Sequence, residues 1–204
     1  CFSLDNLDEV KAELEDVIKA AERMLANNWE FFKDAVGAYD FNRIVYLGAN
    51  CLKGIAQESQ LKILELTAGR VATMYDSPMG FRHGPKSIIN DDTLTIVYLS
   101  DDPYTRQYEV DLIKEMSPQR KGNKLMAIMN KRDEEVAGLV DYAFSFDLDN
   151  EHENAFLGFD YIVAAQVLAL FKSLSYDITP DNPCPTGEVN RVVKGVILHP
   201  YTKR

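Results

Sequence analysis

Apolar positions along the chain follow two different periods. Leu7, Val10, Leu14, Val17, Ala21 and Met24 recur at alternating spacings of three and four, which predicts a helix over residues 3–38, capped by Ser3 or Asp5. From residue 43 the pattern changes. The stretches "RIVYLGA" (43–49), "VATMYDS" (71–77), "LTIVYLS" (94–100), "KLMAIMN" (124–130) and "YAFSFDL" (142–148) are mostly apolar runs, rich in β-branched and aromatic residues, and read as strands. Helical patterning separates them at 51–67, 104–120 and 133–140, and a short "GPKSII" segment follows the second strand. Residues 153–175 read as a largely buried helix. Apolar strands alternating with helices predict a parallel sheet covered on both faces. The expected fold class is α/β: a three-layer α/β/α domain on a mainly parallel, five-stranded sheet. Residues 1–38 are expected to form an N-terminal linker or packing helix, and residues 39–204 the domain proper.

Charge and composition narrow the function. The chain has 204 residues, 46% of them hydrophobic, with a formal net charge of −10. That balance disfavours a general attraction to nucleic acid or to an anionic membrane. An anionic ligand therefore needs a local basic site. No apolar run reads as long enough to span a membrane, and no signal peptide is visible. Three dispersed cysteines (Cys1, Cys51, Cys184) predict reduced thiols and a cytoplasmic setting rather than a disulfide framework or a zinc site. Three dispersed histidines give no metal centre, and no cofactor is expected. Because the chain begins with Cys1 and not methionine, it is expected to be part of something longer.

Candidate chemistry gathers at the turns that follow strands, where open parallel sheets bind their ligands. The first turn, "LGANCLKG" (47–54), contains Asn50 and leads into a helix; it is either a phosphate contact or a tight turn, and it lacks the P-loop ending. In the helix behind it, Glu58, Lys62 and Glu65 stand at i, i+4 and i+7, on one face. They form either a solvated face with an ion pair or a carboxylate base beside an orienting ammonium. Ile55, Leu61, Leu64 and Leu66 on the same helix suggest that much of it is buried. The stretch "YDSPMGFRHGPKSII" (75–89) presents His83 between Arg82 and Lys86 on a loop broken by glycine and proline. It reads as a basic surface turn or as an anion site with a histidine able to shuttle protons. Asp102 or Thr105 reads as a helix cap, and His152 and His199 read as surface residues.

Taken together, "LGANCLKGIAQESQLKILELTAGRVATMYDSPMGFRHGPKSII" resembles a sugar isomerase (SIS) domain. It is most similar to the C-terminal SIS domain of tagatose-6-phosphate ketose/aldose isomerase and galactosamine-6-phosphate deaminase-type proteins. The likeness continues through "DPYTRQYEVDLI" to "NRVVKGVILHP". It implies an enzyme acting on an amino-sugar or ketose phosphate. Glu65 would carry the proton between C1 and C2, Lys62 would hold it, and His83 would assist ring opening across a subunit boundary. Lys194 in "VVKGV" would match a tail lysine of the related glucosamine-6-phosphate synthase isomerase domain and join the catalytic set, and Lys62, Glu58, Arg82 and Asn50 are the candidate substrate contacts. The resemblance also implies a homo-oligomer and a first SIS domain carrying most of the phosphate loop, so this portion alone is expected to be inactive. A non-catalytic phosphosugar-binding or dimerisation module is the alternative.

Overall fold

The computed structural model describes residues 6–150, 152–184, 186–187, 195 and 197–200. Two helices open it, α1 (Leu7–Asn27) and α2 (Glu30–Ala38). Strands and helices then alternate: β1 (Arg43–Leu47), α3 (Leu52–Leu66), β2 (Ala72–Asp76), α4 (Pro78–Arg82), β3 (Thr93–Tyr98), α5 (Pro103–Met116), β4 (Lys124–Met129), α6 (Glu134–Leu139), β5 (Tyr142–Ser145) and α7 (Asn154–Ser175). Short 3₁₀ turns cover Pro85–Ile88 and Ser117–Gln119.

All four strand pairings are parallel, and the order is β2-β1-β3-β4-β5. This is the expected three-layer α/β fold. Alternate strand residues feed two cores: Ile44 and Tyr46 pack with α1, α2, α3 and α7, while Val45 and Leu47 pack with α4, α5 and α6. Connections from β1 run to β2 on one side and, through β2, to β3 on the other. The order therefore reverses at β1/β3, which opens a crevice above their carboxyl ends.

Local sequence explains the joints. A Cβ on Gly48 would lie 2.3 Å from the Leu52 carbonyl oxygen, so only glycine lets the chain turn from β1 into α3. Ser77, Asp102 and Asp133 cap α4, α5 and α6, with proline at the start of the first two. Asp102 takes the cap role and Thr105 is the donor to it, at 2.8 Å.

The single helix expected over residues 3–38 is broken at Asn28–Trp29. Two adjacent asparagines favour a break, and Trp29 there stacks on Phe171 of α7 with ring centroids 5.5 Å apart. The break turns α2 so that Phe32 reaches Phe144 of β5, 4.9 Å between centroids. Ala20, Met24, Phe32 and Ala35 lie in the same core as β1, β3 and β4.

Two expectations need correction. By length and hydropathy, Asn154–Leu174 would qualify as a membrane span, although no run was read as long enough. Here it is the central core helix, with Leu157, Tyr161, Ala164 and Leu168 buried and Gly158 set against Ile55 of α3. His152 is buried rather than on the surface, its Nδ1 3.5 Å from Glu13 on α1. His199 is exposed.

Candidate active site

Helix α3 buries Leu52, Ala56, Ser59 and Ile63 and turns its opposite face outward. Leu64, expected inside, is 37% exposed. On the outward side, Lys62 Nζ lies 3.2 Å from Glu58 Oε1 and 2.9 Å from Glu65 Oε2. One ammonium thus spans two carboxylates, each about half exposed. The hydrogen bond to Glu65, reinforced by Glu58, raises the Lys62 pKa above its ordinary value and keeps it cationic. The remaining carboxylate oxygens make no hydrogen bond among the described residues. A carboxylate so oriented has a free oxygen with which to take a proton from carbon, provided a ligand is brought against it.

In the "RHGPK" loop both flanking cations are ion-paired. Arg82 Nε bonds Glu115 Oε2 at 2.6 Å, and Lys86 Nζ bonds the other oxygen at 2.5 Å. Both cations are spent on α5, and chiefly the Lys86 bond holds the Glu115 carboxyl below its usual range. His83 ends α4, exposed, with no side-chain hydrogen bond or ion pair among the described residues. The loop is tied to α5 at two points, and His83 lies exposed between them.

The structure brings Glu58, Lys62 and Glu65 together and leaves the other candidates apart. α3 packs on one face of the sheet and α4 on the other, so no contact joins Glu65 to His83 of the same chain among the described residues. Asn50 sits at the opposite end of α3 from Glu65, about 20 Å away at 1.5 Å per residue. It is held at φ 50° with its amide 3.3 Å from Thr105 Oγ1. Lys194 lies outside the described residues. Sequence reading missed Glu115, since a partner 29 to 33 residues from its cations leaves no local spacing to see.

Comparison with protein families matches residues 39–171 to the SIS domain. The chain belongs to the SIS domain family. Within that family, this SIS domain is 42% identical over 189 residues to a D-galactosamine-6-phosphate deaminase AgaS of Escherichia coli, covering 91% of this chain and 48% of that protein. A protein of the same description from Shewanella sp. (strain ANA-3) is 44% identical over 161 residues, 79% of this chain and 38% of the relative. Among solved structures, a Clostridium novyi NT protein superposes with a TM-score of 0.92 at 48% identity, covering 97% of this chain and 51% of its own. The tagatose-6-phosphate ketose/aldose isomerase of Escherichia coli gives 0.79 at 38% identity, covering 92% and 47%. The SIS domain described here therefore spans about half the length of these relatives, or less.

Proposed function

We propose that this SIS domain is the proton-transferring half of a sugar-phosphate deaminase or isomerase. The carrying observation is the Glu58–Lys62–Glu65 cluster, held on an outward helix face by a shared ammonium. Relatives at 42–44% identity bear the deaminase name and support the same reading.

With galactosamine 6-phosphate, the open-chain aldehyde presents an acidic C2 proton. Glu65 removes it, giving an enolamine, and returns it to C1. The resulting C2 imine takes up water and releases ammonia, leaving tagatose 6-phosphate, so the net reaction is a hydrolytic deamination. A substrate with a C2 hydroxyl passes through an enediol and simply isomerises. Lys62 orients Glu65, and Glu58 shares that ammonium. His83 opens the ring, and because it stands on the far sheet face from its own Glu65, it serves the site of a neighbouring subunit. Phosphate contacts come mainly from a second SIS domain. The protein on this reading is a cytoplasmic homo-oligomer, a setting that the free Cys51 thiol suits.

The test is to assay ammonia and ketose phosphate separately with the full-length protein, Glu65→Gln and His83→Ala. Loss of at least about 100-fold in Glu65→Gln with folding intact is expected. Full activity in both variants would leave the domain as a scaffold or a non-catalytic phosphosugar-binding module.

A further inference from the structure

A concavity lies at the opposite end of α3 from the carboxylate cluster. It occupies the crevice where strand order reverses, has a volume of about 250 Å³, and is lined by Asn50, Ser77, Tyr104, Thr105, Tyr108 and Glu109 among others. Its size is slightly below the roughly 300 Å³ from which small-molecule pockets start.

Three observations define what it could hold. Glu109 is fully buried; its Oε2 accepts from Ser100 N at 2.8 Å, while Oε1 has no hydrogen-bond partner. A buried carboxyl oxygen left without a donor is costly, and a ligand donor there would relieve the cost. Burial raises the Glu109 pKa to about 7, so the group is partly ionised at neutral pH. Next, Tyr104 and Tyr108 stand at the mouth, 68% and 39% exposed, hydroxyls 3.0 Å apart and rings edge to face. Exposed aromatic rings beside a polar floor suit the face of a sugar ring or an ammonium.

The crevice is also poorly built for an anion. No lysine, arginine or histidine lines it, and Lys53 nearby is bonded to Asp76 at 2.8 Å. The first amides of α3 are already used: Leu52, Lys53 and Gly54 donate to the carbonyls of Ala49, Asn50 and Cys51. Around Glu109 itself stand Arg106, whose charge favours the ionised carboxyl but which is bonded to Asp133 at 3.1 Å, Asp102, which opposes ionisation, and the buried Tyr161 of α7.

We propose that this crevice binds a small unphosphorylated polyhydroxy amine, the ammonium or a hydroxyl donating to Glu109 and the ring lying against Tyr104 and Tyr108. It is a site separate from the carboxylate cluster and stands whether or not that cluster is catalytic.

Calorimetric titration of the full-length protein with galactosamine, galactose and inorganic phosphate tests it. Galactosamine should bind at least fivefold more tightly than galactose, and more tightly at pH 8 than at pH 6. Glu109→Gln should weaken galactosamine at least tenfold and abolish that pH dependence; Tyr104→Ala, at an exposed position that the fold does not need, should weaken it about fivefold. Neither change should move the phosphate isotherm. Absence of galactosamine binding, binding indifferent to both substitutions, or substitutions that weaken phosphate instead would overturn the assignment.

Discussion

Arg82 is bonded through Nε to Glu115 Oε2 at 2.6 Å, across 33 residues of sequence. With Lys86 on the other oxygen of the same carboxylate, the loop carrying His83 is pinned at two points to α5. The pairing gives the concentrated cations a structural role: they tie the arm to α5.

Glu115→Gln should therefore act on catalysis more than on stability. The pairs are partly solvated, so their loss should cost about 1 kcal/mol or less in urea unfolding. Turnover, which on the proposed reading needs His83 placed in a neighbouring site, should fall about tenfold, as expected for a mispositioned catalytic group. Unchanged kcat would show that the arm holds its course without Glu115.

Two glycines separate by the atoms their side chains would meet. Gly48→Ala puts a Cβ against the Leu52 backbone at 2.3–2.5 Å, where α3 itself must move. Gly158→Ala meets only the ends of the Ile55 side chain, at 2.9 and 3.0 Å, which can swing aside. Chemical denaturation should show a loss of about 3 kcal/mol or more for Gly48→Ala and about 1 kcal/mol for Gly158→Ala. Equal costs would mean that α3 tolerates displacement at its start.

Much of the architecture was legible because apolar runs declare buried strands directly. All five strands lie within one or two residues of the expected starts, and the alternation with helices gave the layers. The α3 carboxylates were legible too, since i, i+4 and i+7 place them on one face whatever the fold. Less was legible where the fact depends on distant partners. Glu109 and Asp160 look like solvated helix residues, and only packing of α5 and α7 makes them fully buried. The short α4 was signalled by Ser77-Pro78, a cap followed by proline, within a stretch otherwise read as loop. Leu64 misled because hydrophobicity alone does not say which helix face meets the sheet.

Asp160 should give the domain an inverted pH response. It lies on α7 with both oxygens unpartnered, and burial raises its pKa to about 7 from an ordinary 3.8, against a lowering by Arg23. A folded-state pKa above the unfolded one means that its contribution is fully present below about pH 4 and is lost as pH rises through 7. Asp160→Asn removes the ionisation and should stabilise the fold at pH 8 by on the order of 2 kcal/mol. Little gain should appear at pH 4, where the aspartate is already protonated for most of the folded population. Glu109 titrates over the same window, so the variant should flatten the profile only in part. A gain of equal size at both pH values would place the effect in packing rather than in charge.

Lys62 is a positioning residue, and its variants should separate that role from simple stability. Lys62→Met keeps most of the unbranched side chain, one heavy atom shorter, but removes the ammonium shared by Glu58 and Glu65. The two carboxylates would then face each other without a shared counter-ion, and Glu65 would lose the group that orients it. For a reaction that needs Glu65 as a base, kcat should fall about 10- to 100-fold. KM should change less than threefold, because the ammonium is bonded to both carboxylates. Lys62→Arg keeps the charge and should recover part of kcat. A purely structural lysine would change the unfolding midpoint and leave kcat where it was, and that outcome would remove Lys62 from the chemistry.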